Sequence, residues 1–169
     1  MVRSTPPRVI ALDTNILSLL LSYYSLVAHG ASSVERERRL RQVRGRSEPV
    51  SGAQFDALWQ FFKTVPRRIV TQHVVAEAFG NKMRKQFNWS DAIGLLPKYH
   101  VEELGCCISD LYADKDFRPI IEALGPTDAG LIHTAEVEKA AILSEDGPLR
   151  NWAQGRRVET LAWNQMDRL

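Results

Sequence analysis

Apolar residues in this chain occur in short solid runs separated by longer stretches where they recur every third or fourth position. Val9-Ile10-Ala11-Leu12 is a β-branched run of strand length. The apolar run from Ile16 to Leu21 then opens a helix over 15–28 that is apolar on several faces, Tyr23 and Tyr24 included, and is expected to be buried. Gly30 to Ser33 breaks it, a basic helix follows, and Gly45 to Gly52 is turn-rich. Phe55, Leu58, Trp59 and Phe62 stand at helical spacing and predict a helix over 53–64, ended by Pro66. Arg68 to Thr71 reads as a strand and Gln72 to Arg84 as a helix whose apolar stripe is Val74, Val75, Ala78 and Phe79. Glu77 lies beside that stripe, with His73 and Asn81 one turn to either side.

Farther on, Val101 to Tyr112 and Phe117 to Leu124 read as helices joined by a turn at Asp114-Lys115-Asp116. Gly125-Pro126-Thr127-Asp128 carries helix-start signals, and Leu131, Ile132 and Ala135 follow Asp128 at three, four and seven residues, so Asp128 faces the way the core-facing side chains do. Ala140 to Leu143 is a buried strand, Leu149 to Gln154 a short helix closed by Gly155, and Arg157 to Leu161 a last strand. Strands alternating with helices predict an α/β fold with a central parallel sheet covered on both faces. Met1 to Pro7 reads as a frayed end.

Composition narrows the picture little. The 169 residues suit one domain, and 44% apolar with 25% charged residues is an ordinary globular balance. No window approaches the ~18 apolar residues of a membrane span, and no secretory signal opens the chain, so no membrane contact and a cytoplasmic location are expected. Cys106 and Cys107 are adjacent, which suits neither a structural disulfide nor a spaced metal pair; they read as buried thiols in a helix. Net charge is only +2, but the stretch Glu35 to Arg46 holds six arginines against two glutamates. Arg36, Arg38, Arg39, Arg41 and Arg44 are candidates for a phosphate backbone. The alternative is a solvated helix laced by Glu35 with Arg39 and Glu37 with Arg41.

Four acids carry the candidate chemistry. Asp13 and Asp146 each follow a strand and precede a helix, Asp128 sits at a helix start, and Glu77 lies on a helix edge. Each has a plain explanation alone: Asp13 as a helix cap, Asp146 as part of an Asp-Gly-Pro turn. In a parallel sheet, though, the carboxyl ends of the strands share one side, where α/β proteins bind their ligands. Gathered there, four carboxylates would raise one another's pKa unless a counter-charge joined them. A hard divalent cation, Mg²⁺ or Mn²⁺, suits an all-oxygen set of this kind. Such a site can activate water against a phosphodiester.

The segments VIALDTNILSLLL, IVTQHVVAEAFG, PTDAGLIHTA and ILSEDGPL together resemble, in order and spacing, the four motifs of the PIN-domain nucleases, over about residues 8–21, 68–81 and 126–162. The resemblance implies a three-layer α/β/α sandwich in a single domain over 1–169, with a basic helical insertion at about 29–65. It implies an Mg²⁺- or Mn²⁺-dependent endoribonuclease acting on RNA, often a homodimer, and among small bacterial members often a toxin held by an antitoxin protein. By the same resemblance Asp13, Asp128 and Asp146 are metal ligands. Glu77 is an outer acid or water-orienting base, and Asn15 and Ser144 support the site. Ser144-Glu145-Asp146 leaves open whether Glu145 joins it.

Three other readings compete: a catalytically silent PIN-like scaffold that binds RNA or protein, a phosphatase using Asp13 as nucleophile, and a protein-interaction module docking an acidic partner on its arginines. The phosphatase chemistry usually wants a second acid where this chain has Asn15. His29, His73, His100 and His133 form no recognisable catalytic pair.

Overall fold

The computed structural model describes residues 6–44, 52–80 and 93–163, with 41–44 described by backbone alone. The expected frayed end before Pro6, most of the Gly45–Gly52 turn, the helix beyond Gly80 with Asn81, and the side chains of Arg41 and Arg44 lie outside the described residues.

The sheet is built from β1 (Val9–Leu12), β2 (Arg67–Thr71), β3 (Val101–Leu104), β4 (Ala141–Leu143) and β5 (Thr160–Leu161). All pairings are parallel, in the order β3-β2-β1-β4-β5. The helices are α1 (Thr14–Ala28), α2 (Ser33–Arg44), α3 (Gly52–Thr64), α4 (Gln72–Gly80), α5 (Leu95–Lys98), α6 (Ile108–Ala113), α7 (Arg118–Leu124), α8 (Pro126–Glu138) and α9 (Gly147–Gly155). They flank the sheet as an α/β/α sandwich. Because β1 and β4 are covered on both faces, Ile10, Ala11, Leu12, Ile142 and Leu143 are fully buried, as continuous apolar runs in parallel sheets usually are.

Helix α1 is buried almost all round, from Ile16 to Leu26, because α2 and α4 pack against it. Gly30, at φ +68°, turns the chain from α1 into α2, a conformation that costs glycine little. α2 and α3 are thereby gathered beside α1, and three contacts fasten the group. Arg36 Nη1 donates to the Ala31 carbonyl at 2.8 Å. The Tyr23 hydroxyl donates to Asp56 of α3, and the Gly52 amide donates to Glu37 at 3.2 Å. Phe55, Leu58, Trp59 and Phe62 form the buried stripe of α3, as their spacing predicts.

Two expectations are overturned. Val101 to Leu104 is not the start of a helix but an edge strand, in register with β2 from Arg68 opposite Val101 to Thr71 opposite Leu104. Its glutamates favour helix locally, yet pairing to β2 outweighs that weak preference, and Glu102 is held by Arg67 at 2.7 Å. Two glutamates also blunt an edge that would otherwise invite another strand. The cysteines consequently fall in the connection after β3 rather than in a helix; Cys106 is half-buried and Cys107 exposed. Among the described residues, no helix is long and apolar enough to cross a membrane.

Candidate active site

The strand order places the site. From β1 the chain moves to β2 and β3 on one side, then returns to β4 and β5 on the other, so β1 and β4 are neighbours across the point where the winding reverses. Open α/β sheets leave a crevice beyond the carboxyl ends of such a pair. Asp13 is the first residue past β1, and its N–H still donates to the Leu143 carbonyl at 3.2 Å, carrying the pairing one step into the crevice. Ser144 is the first residue past β4.

Asp13 terminates β1 and precedes α1, but its side chain does not cap that helix. It is 3% exposed, and Oδ2 instead accepts a hydrogen bond from the Ser144 hydroxyl at 2.7 Å. The same hydroxyl oxygen accepts the Asp146 N–H at 2.9 Å. Ser144 thus ties the two strand-end acids into one unit. Asp146 is a true cap: Oδ1 accepts the Leu149 N–H of α9 at 2.9 Å. The cap expected at Asp13 is therefore absent, whereas Asp146, expected in a turn, caps α9.

Asp128 is in the first turn of α8, whose start is set by Gly125 at φ +91° and by Pro126. Glu77 is exposed on α4, and the Thr14 hydroxyl donates to its Oε2 at 3.2 Å. The helix carrying Glu77 is itself fixed by Thr71, at the end of β2, whose hydroxyl accepts the Val74 N–H at 3.2 Å. His73 Nε2, one turn before Glu77, meets the Cys106 carbonyl at 3.2 Å and pins α4 to the end of β3.

These acids share one electrostatic field. Burial pushes the Asp13 carboxyl up to about 6, with Asp146 and Glu77 adding to the rise, while the Ser144 hydroxyl and the Thr14 backbone oppose it. Burial pushes Asp128 up to about 7, and Asp13, Asp146 and Glu77 all add to that rise. A helix N-terminus favours an anion, so the rise at Asp128 means that burial and like charge outweigh the helix dipole. Among the described residues, the charges that bear most on either acid are all acidic.

The donor set is hard and all oxygen, the chemistry that Mg²⁺ and Mn²⁺ prefer. Among the described residues, no three His, Cys, Asp or Glu side chains close together as a finished metal site. The four acids share a field rather than a ligand shell.

Of the supporting residues expected from sequence, Ser144 bonds Asp13 directly, whereas Asn15 is exposed and gives Asp13 no hydrogen bond among the described contacts. Thr14, which sequence reasoning passed over, is the residue that touches Glu77; its place between Asp13 and Asn15 was the available signal. Among the described residues, Arg36, Arg38 and Arg39 of α2 make their contacts away from the acids. Arg38 and Arg39 close on Glu35 at 2.8 and 2.6 Å, holding its carboxyl down at about 2. Arg36 turns back to Ala31 and stacks 5.5 Å from the Tyr23 ring.

Removing the shared hydroxyl should expose this coupling. Ser144→Ala is expected to raise the Asp13 pKa above about 6, because the bond that opposes burial is lost. Folding stability should fall by about 1–2 kcal/mol, since Ser144 is fully buried and its partners lose their bonds. Carboxyl-carbon NMR titration and urea unfolding check the two effects.

No protein-family model matches this chain, and no curated protein matches it in sequence.

Proposed function

We propose that this chain is an Mg²⁺- or Mn²⁺-dependent endoribonuclease of the PIN-domain type, hydrolysing RNA phosphodiesters in the acidic crevice beyond β1 and β4. The observation that carries the reading is the shared field of Asp13, Glu77, Asp128 and Asp146 at the reversal of the winding, where burial and like charge push two acids towards neutrality.

Asp13, Asp128 and Asp146 would hold the cation, directly or through water. When bound, it supplies contact to phosphate oxygens that the acids alone repel, and it acidifies water for attack on phosphorus. The protein's own groups do the rest. Ser144 holds the Asp13 carboxylate in one orientation, and the α9 cap fixes Asp146 by one oxygen. Glu77, steadied by Thr14 on the open edge of the crevice, orients the attacking water and takes its proton. Attack by water without the 2′-hydroxyl leaves a 5′-phosphate and a 3′-hydroxyl. The preference for RNA over DNA rests on the PIN resemblance. So do a homodimeric state, a cytoplasmic location and an antitoxin partner. The positive excess of α2, including Arg41 and Arg44, adds a salt-sensitive hold on the polyanion.

The test is cleavage of a mixed RNA pool by purified protein with Mg²⁺ or Mn²⁺, beside a chelator. Products bearing 5′-phosphates that disappear with chelation are expected. RNA bound but never cut, in any divalent metal, would make the chain a silent scaffold instead.

A further inference from the structure

The four acids are held in two different ways. Asp13 and Asp146 stand at strand ends, and Ser144 ties them to each other. Glu77 and Asp128 stand instead on helices, α4 and α8, so their separation is set by how those helices pack and by what touches both. One residue does. Cys106, in the connection after β3, turns its backbone to α4, where the His73 Nε2–H donates to its carbonyl at 3.2 Å. A carbonyl only accepts, which puts the proton on that ring nitrogen. The Cys106 side chain turns to α8: a methyl group at Gly130 would stand 3.5 Å from its sulfur, and the thiol hydrogen-bonds with Thr134.

The two ends of this bridge lie close to the two acids. His73 is one turn before Glu77 on α4, and Gly130 is two residues beyond Asp128 on α8. Helix α4 is short, and its first turn is where it is fastened, by the Thr71 cap and by His73. Val74 and Ala78 are its buried side chains, a narrow apolar stripe. A helix seated on so narrow a stripe resists sliding better than rolling about its own axis. Rolling carries an exposed side chain farther than a buried one, and Glu77 is exposed. The bond from His73 to Cys106 opposes that roll.

We propose that His73 and Cys106 are positioning residues, a brace between α4 and α8 that sets the Glu77 carboxylate against Asp128 across the crevice. The inference rests on the nuclease reading and adds the means by which its water-orienting acid is aimed. Neither residue takes a chemical step. Aim matters because a misplacement of about 1 Å can cost a reacting group about a hundredfold in rate.

The test is RNA cleavage by the full chain and its variants with Mg²⁺ or Mn²⁺, beside amide hydrogen exchange of the same proteins in chelator. His73→Leu keeps bulk and loses the donor: kcat should fall about tenfold with KM unchanged, and His73→Gln, whose amide N–H has a similar reach, should recover most of it. Because the effect runs through Glu77, adding His73→Leu to Glu77→Gln should change the residual rate by less than about twofold. Cys106→Ala opens the brace at its other end and should slow cleavage similarly, and the two changes together should cost no more than either alone. In chelator, the α4 amides of His73→Leu should exchange about tenfold faster while those of β1 and β4 keep their rates. A parent that cuts no RNA in any divalent metal would overturn the nuclease reading and the brace together. With a cutting parent, any of three results would overturn the brace and leave the nuclease reading standing: a full tenfold loss repeated in Glu77→Gln, a His73→Gln no better than His73→Leu, or α4 exchange that does not move.

Discussion

Asp13→Asn is expected to abolish cleavage and, in the same molecule, to stabilise the chelated protein at neutral pH. The two effects have one cause. Asp13 is 3% exposed and its carboxyl is pushed from 3.8 up to about 6, first by burial and then by Asp146 and Glu77. A raised acid pKa means that the folded state binds the proton more tightly than the unfolded chain. The sign follows: below about 4 the group costs nothing, the penalty grows as pH climbs from about 4 to about 6, and above that it stays constant. A shift of this size corresponds to roughly 3 kcal/mol at neutral pH, an upper figure because the neighbouring acids relax together. Asparagine keeps an oxygen for the Ser144 hydroxyl and carries no charge. Asp13→Asn in chelator at pH 8 should therefore gain about 1–3 kcal/mol, a rise in Tm of several degrees, and the gain should vanish near pH 4. Asp128, pushed up to about 7, extends the loss of wild-type stability towards pH 7. Differential scanning calorimetry of both proteins across pH 4–8 would check this. A variant less stable than wild type at pH 8 would mean that Asp13 is not held against its own charge.

Arg68→Ala should be the most damaging single change outside the site. Arg68 is 8% exposed on β2, yet among the described residues it pairs with no acid. Its guanidinium donates to three carbonyls: Phe62 at 2.5 Å, Lys63 at 2.7 Å and Tyr99 at 2.9 Å. Phe62 and Lys63 end α3 and Tyr99 follows α5, so one cation satisfies carbonyls that two helix ends leave without partners. It also lies 5.1 Å from the Phe62 ring. Burial without a carboxylate lowers the pKa of Arg68, but a guanidinium remains charged. Losing three charge-assisted bonds and exposing buried carbonyls should cost about 3–5 kcal/mol, a large share of an ordinary domain's stability. Arg68→Lys should recover only part, because one ammonium cannot reproduce the fork. Urea unfolding of the three proteins measures the series, and a loss below about 1 kcal/mol for Arg68→Ala would show that water replaces the guanidinium freely.

Such an arginine cannot be recognised along the chain. Arg68 reads only as the first residue of a strand, and the convergence of α3, α5 and β2 is what reveals three carbonyls around it. The same holds for Val101 to Leu104, whose residues favour helix until β2 offers an edge to pair with. Conversely, Val9 to Leu12, the α3 stripe and Ala141 to Leu143 are legible at once, because burial on both sides of a parallel sheet selects unbroken apolar runs and a half-covered helix selects spaced ones.

What the sequence determined by itself is the alternation of strands and helices, hence the parallel sheet, and the stations of Asp13, Asp128 and Asp146 at element boundaries. Periodicity and start signals are local, and those positions follow from them. Only the tertiary structure decided that Asp13 leaves its helix uncapped for Ser144, that Thr14 rather than Asn15 serves the neighbouring acid, and that Arg38 and Arg39 of α2 face Glu35. Those outcomes depend on which side chains from distant segments compete for the same hydrogen bond. That competition is settled by strand order and burial.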